Sequence, residues 1–311
     1  MPQAPAARAP VLECRPVWFL LALAAAFCQV LRNMTMKQLG HRLDEYINVW
    51  GRFTFLLPFT LVMAWAFVWR VRGWPELRPG FVPVCLAFGV CQTIATLALS
   101  KALKLGQISV VTALWKVSLI VLLVMGYLTL RERPSVLGLA GVLLSTAGVY
   151  LLNVRRARLS PLAPLVALVT DPGQRWTLLA ALFYAPSVLT IKQAALLSDP
   201  YTGSLGGYLA ASLLVTPLCL WTSRRHFREV PAQWKPFAAL GLFAALTTVA
   251  QVIAYTMTLS SYVEAVKQVE ILFALAIGSL VFGERQRVRE ISVGASVMLA
   301  GVILLSLAGV R

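Results

Sequence analysis

Charge is scarce in this sequence, and negative charge scarcest. Of 311 residues only 13% are charged, with 12 Asp and Glu against 28 Lys and Arg, while 59% are hydrophobic. A soluble domain carries about 25% charged and about 45–50% apolar residues. Nothing of the size of a soluble domain remains once the apolar runs are set aside. Histidine occurs twice, at His41 and His226, each between apolar runs. That excludes a histidine-based metal or nucleophile site. The five cysteines, Cys14, Cys28, Cys85, Cys91 and Cys219, form no CxxC pair. They predict free thiols rather than a metal centre or a disulfide framework. With no serine motif and no acid pair at a membrane face, the chain is not expected to be an enzyme, and no cofactor is expected. The net charge of +16 is spread singly or in twos and threes between apolar runs. A nucleic-acid surface needs a basic stripe with interleaved aromatics, so these charges are expected to face anionic lipid headgroups.

What is present is a chain of membrane spans, written twice. Each span needs roughly 20 apolar residues, and helices are the form that pairs every backbone polar group inside lipid. The spacing predicts spans at about 16–37, 47–69, 80–100, 107–130 and 135–153, then 176–197, 202–222, 236–259, 262–283 and 290–310. Thr35-Met36-Lys37-Gln38 closes the first, and Thr190-Ile191-Lys192-Gln193 closes the sixth. Each motif is followed, nine residues after its Lys, by Tyr46 or Tyr201, and then by Gly51 or Gly206. The first run has the basic start and small residues of a signal peptide, but its internal copy at 178–193 makes it a membrane helix. The reading is an all-α polytopic membrane protein with ten transmembrane helices as two five-helix repeats, 16–153 and 176–310. A Pro- and Arg-containing linker at 154–175 joins them. Five is odd, so the repeats are inverted, and such a chain has the organisation of a transporter with its site at the seam.

Local signals fit these spans. Pro134-Ser135 is a helix stop and cap, and Asp199-Pro200 separates spans six and seven. Trp18, Trp50, Trp69, Trp74, Tyr201, Trp221 and Trp234 are expected as interfacial anchors. Gly138, Gly141, Ala147 and Gly148 in span five, and Gly294, Ala295, Ala300 and Gly301 in span ten, predict close helix packing. The balance of loop Lys and Arg favours termini outside.

The Glu132-Arg133-Pro134-Ser135 run followed by Gly138 and Gly141-Val142, its counterpart Gly283-Glu284-Arg285 followed by Gly294, and Arg52 in span two resemble the drug/metabolite transporter superfamily in its ten-helix, EamA-type form. The second copy departs from the pattern at Gln286-Arg287. The resemblance covers about 16–153 and 176–310. It implies a central cavity lined by spans one, three, four, six, eight and nine. It also implies cytoplasmic termini, opposite to the charge balance. The expected function is a secondary-active exporter of a small organic metabolite or drug, working by alternating access with possible proton coupling. The alternative is a flippase or carrier for a lipid or lipid-linked anion. The expected partners are a small-molecule substrate and the lipid bilayer, with no nucleic acid. The chain is expected as a monomer or weak homodimer in a plasma (bacterial inner) membrane.

A charge at the bilayer centre costs at least about 2.5–3.5 kcal/mol, so each one asks for a reason. Lys116 lies about 14 Å into span four at 1.5 Å per residue. Glu270 and Lys267 are deep in span nine. Aligning Glu132 with Glu284 sets Lys116 opposite Gln268 and Ser118 opposite Glu270. Lys116 and Glu270 are therefore expected to face one cavity, Lys116 toward a carboxylate or phosphate and Glu270 toward an amine or a proton. The bland reading is a permanent ion pair that only holds two helices together. Lys267 either lines the cavity or snorkels to a headgroup. Glu264 is a gate residue or, more commonly for its position, an interfacial carboxylate. Trp115, Thr112, Gln29, Arg32, Tyr184, Gln251 and Tyr255 are expected in the wall of the substrate site, with Gln92 beside them. Pro186 is expected to kink span six as a gate. Glu132 and Glu284 read as interfacial anchors.

Overall fold

Asp171 and Asp199 each stand before a proline, and each starts a helix. The Asp171 carboxylate accepts from Gly173 N at 2.8 Å, and Asp199 accepts from Tyr201 N at 2.9 Å and Thr202 N at 3.0 Å. Proline at the first helical position gives up an N–H that the helix would leave unpaired. The sixth helix therefore begins at Pro172, one turn earlier than its apolar run. A computed structural model describes residues 15–40, 43–106, 108–156, 171–282 and 288–308. Cys14, His41, Glu284, Arg285 and most of the linker lie outside them.

Ten spans are present among the described residues, and these contain no strand. They are α1 (Arg15–Gly40), α2 (Glu45–Arg72), α3 (Phe81–Leu105), α4 (Ile108–Trp115 and Val117–Leu130), α5 (Val136–Arg156), α6 (Pro172–Leu196), α7 (Pro200–Thr222), α8 (Trp234–Met257), α9 (Ser260–Lys267 and Glu270–Phe282) and α10 (Val288–Leu307). At about 1.5 Å per residue, the 25 residues of α3 exceed the roughly 30 Å hydrocarbon thickness. The lipid-facing surface is apolar, with Leu20, Phe67, Leu128, Leu213 and Ile303 each more than half exposed.

The packing has an internal two-fold. Helix α3 packs on α6 as α8 packs on α1, and α4 lies against α6 as α9 lies against α1. The self-related pairs, α5 with α10 and α2 with α7, close the arrangement. The small residues of α5 and α10 let their backbones touch: a Cβ on Gly294 would stand 2.7 Å from Leu152 N, and one on Gly141 2.9 Å from Gly301 O. Trp18 is not an interfacial anchor; it is 2% exposed and belongs to the apolar core. Trp74 and Trp221 are exposed, in keeping with anchors. Helix α6 runs without interruption through Pro186.

Candidate substrate site at two helix breaks

The two central helices break at the same place in each repeat. In α4 the break is at Lys116, where Leu119 N turns to the Lys116 carbonyl at 3.1 Å. In α9 it spans Gln268 and Val269. There Gln268 N bonds Ala265 O at 3.3 Å, Val269 N bonds Val266 O at 3.0 Å and Ile271 N bonds Gln268 O at 3.1 Å. These i→i+3 bonds tighten the helix and shift the side chains around its axis. Neither break has a glycine or proline to announce it.

A cavity of about 30 Å³ lies at the breaks, lined by Trp115, Lys116, Ser118, Leu119, Leu122, Tyr184, Glu264 and Gln268. A water needs about 10–15 Å³ of such space, so this state encloses no organic molecule. The walls are strongly polar. Glu264 accepts from the Tyr184 hydroxyl at 2.9 Å, from Lys267 Nζ at 2.7 Å and, through a short bond, from the Tyr255 hydroxyl. It is therefore not an interfacial carboxylate. Lys267 is 3% exposed and also donates to Gln251 Oε1 at 2.7 Å, so it does not snorkel. Gln29 donates to Glu270 through a short bond, joining α1 to α9. The Trp115 and Tyr184 rings lie 4.9 Å apart.

Lys116 differs from the pair expected of it. Glu270 and Glu264 act on it only at longer range, and no described carboxylate is within ion-pair distance of its ammonium. Gln268 is buried with its Oε1 unpaired. Arg32 is 8% exposed, and its guanidinium donates to the neighbouring Asn33 Oδ1 at 3.0 and 3.3 Å. Thr112 is half-buried outside this cavity wall and has a partner. Gln92 accepts from Ser187 Oγ at 2.9 Å, an interhelical bond between α3 and α6. Pro186 sits one residue before Ser187 on α6, and Thr190 Oγ1 donates to its carbonyl at 2.7 Å.

Where α4, α6 and α8 end and α5 and α9 begin, a second polar cluster ties the bundle. Arg131, at φ 54°, ends α4 in a left-handed turn that folds Glu132 back over Gly126. Glu132 is buried, not interfacial. Its Oε1 meets Lys192 Nζ at 2.6 Å and Ser260 Oγ at 2.9 Å, and Ser260 N lies 3.2 Å from both carboxylate oxygens. Lys192 also donates to Thr258 O at 2.8 Å. Beside it, the Tyr262 hydroxyl accepts from Ser135 N at 3.0 Å. This lock was not read from the sequence, although Lys192 stands in the repeated Thr-x-Lys-Gln motif that could have pointed to it.

An all-helical bundle with a two-fold of broken central helices around a charged cavity is the architecture of a membrane transporter. The chain belongs to the EamA-like transporter family, whose model matches residues 16–154 and 172–307. No curated protein matches the sequence. The fold is shared with a solved crystal structure of a protein, with a TM-score of 0.73 over 94% of this chain and 97% of that one, at 15% identity.

Proposed function

We propose that the chain is a secondary-active transporter of a small organic metabolite, with its substrate site at the breaks of α4 and α9. The observation that carries this is Lys116: an ammonium with no ion-pair partner among the described residues, set inside a lipid-embedded bundle beside a polar cavity. A purely structural lysine would be paired. Discontinuous helices at matching positions of inverted repeats supply the half-helix ends that hold substrates in such folds. The cavity is too small for a substrate here, so a transport cycle must open it, by rocking of one repeat against the other. The direction assigned, export, and the inner-membrane location come with the family resemblance.

The test is flux in proteoliposomes. Amino acids, nucleosides, organic anions and quaternary amines are screened as labelled substrates, with and without an imposed pH gradient. A compound carried by the wild type should not be carried by Lys116→Met/Glu270→Gln, which should still elute as a folded monodisperse protein. Full transport by that variant rules the site out. Movement of labelled lipid in place of every soluble compound would assign the flippase function instead.

A further inference from the structure

We propose that the substrate is a monocarboxylate with an apolar body, and that its carboxylate binds at Lys116 and Ser118, in the place that Glu270 fills in the other repeat. This deepens the transport reading and rests on it. Aligning Glu132 with Glu284 sets Ser118 opposite Glu270, and each stands in the first turn of the second half of its broken helix. Gln29 of α1 and Tyr184 of α6 correspond too, each lying six residues before its Thr-x-Lys-Gln motif. In α9 that first turn carries its own carboxylate, Glu270, and Gln29 donates to it through a short bond. In α4 the matching turn has no acidic residue, and Tyr184 lines the cavity beside Ser118. A negative charge is favoured at a helix start, and one of the two related starts lacks it.

No described side chain fills the gap. Lys116 and Ser118 line the cavity, and neither Nζ nor Oγ has a hydrogen-bond or ion-pair partner among the described residues, although Ser118 is only 5% exposed. Gln268 lines the same cavity at 4% exposure with its Oε1 unpaired, so its amide is not held by the protein and can turn either end to a ligand. Unused donors around an ammonium suit an anion, because hydrogen bonds to an ionised acceptor are the strong ones. The charge of that anion is set by what remains free. Glu264 is the one carboxylate among the lining residues, and it already accepts from Tyr184, Tyr255 and Lys267. An amine would find no free carboxylate in this wall, and a second negative charge would find no second free cation. The rest of the wall is the rings of Trp115 and Tyr184 with Leu119 and Leu122, which suits an apolar body.

The experiment is thermal unfolding of the full chain in detergent at neutral pH and matched ionic strength. Phenylacetate, isovalerate and hexanoate are the probes, each set against its amide and the amine of the same skeleton, with succinate as the dianion. At about a hundredfold excess over Kd, at least one monocarboxylate should raise Tm on the order of 5 °C, and its amide, its amine and succinate should not. Lys116→Met should lose that rise, Lys116→Arg should keep most of it, and Ser118→Ala should weaken binding about tenfold. Ser118→Asp writes the missing carboxylate into α4. Without ligand its Tm should rise, and its response to monocarboxylates should vanish. If it fails to fold, the two Lys116 variants decide. A rise from an amine or from succinate but from no monocarboxylate overturns the proposal; if Lys116→Met/Glu270→Gln abolishes that rise, the transport site itself stands. Equal rises from an acid and its amide, a monocarboxylate rise that survives in Lys116→Met or in folded Ser118→Asp, or no rise from any monocarboxylate also overturns it.

Discussion

Glu132 and Lys192 carry charge of opposite sign and are each only 8% exposed. Removing one partner of such a pair leaves the other buried and unpaired, a cost of about 3–5 kcal/mol. Glu132→Gln is expected to lower unfolding stability in detergent by that order, and adding Lys192→Met should recover much of the loss. Lys267 and Lys116 give the contrasting case. Lys267→Met strips Glu264 of its ammonium and Gln251 of its donor, and should cost about 3 kcal/mol. Lys116→Met breaks no ion pair, so its Tm should not fall. A fall of several degrees there would reveal a structural lysine and remove the main support for the substrate site. Lys116, Glu270 and Lys267 were legible in the sequence because an ionisable residue within an apolar run stands out by its cost. The partners of these residues were not. Nothing local says that Glu264 gathers Tyr184, Tyr255 and Lys267 from three helices, or that Gln29 rather than Lys116 engages Glu270. Those contacts are set by how helices cross, which one chain's periodicity does not encode.

All ten helices were legible as apolar runs, since span length is fixed by the bilayer. The breaks in α4 and α9 were not, because breaks are read from glycine and proline and neither residue occurs at Lys116 or Gln268-Val269. The repeat alignment alone hinted at them, by setting Lys116 against Gln268. The early start of α6 was hidden for another reason: Asp171-Pro172-Gly173 reads as loop chemistry, yet Asp-Pro is equally the chemistry of a helix start. The small-residue stripes were the clearest element-level signal. Glycines on α5 and α10 place backbone against backbone, so a side chain there has nowhere to go. A Cβ on Gly148 would overlap the backbone at Met298, and one on Gly301 the backbone at Ser145. Gly148→Leu is therefore expected to separate α5 from α10, and overpacking of this kind costs at least about 1–3 kcal/mol. The measurement is the yield of monodisperse protein and its Tm. Val136→Leu, at the 88% exposed first position of α5, is the control that should change neither.

At the scale of the molecule, two halves with one fold are held in two different local arrangements. Lys192 closes its face through Glu132, Thr258 and Ser260, while its repeat counterpart Lys37 at the end of α1 is exposed. If the transport cycle proposed above exchanges the conformations of the two halves, the buried Lys192 face and the exposed Lys37 face should trade accessibility. On that reading the Glu132–Lys192 cluster biases the equilibrium, and loosening it should shift the population. Two single-cysteine variants, made in a background with the native cysteines replaced, test this. Ser260→Cys, at a 0% exposed position, should resist a water-soluble maleimide, and Lys37→Cys should react readily. Adding Glu132→Gln should raise the labelling rate at 260 and lower it at 37, in opposite directions within one protein. Opposite changes are what exchange between two states requires. Local unfolding around a lost ion pair would instead raise labelling at 260 and leave 37 unchanged, and that result would mean that the Glu132–Lys192 cluster stabilises the fold without taking part in its movement.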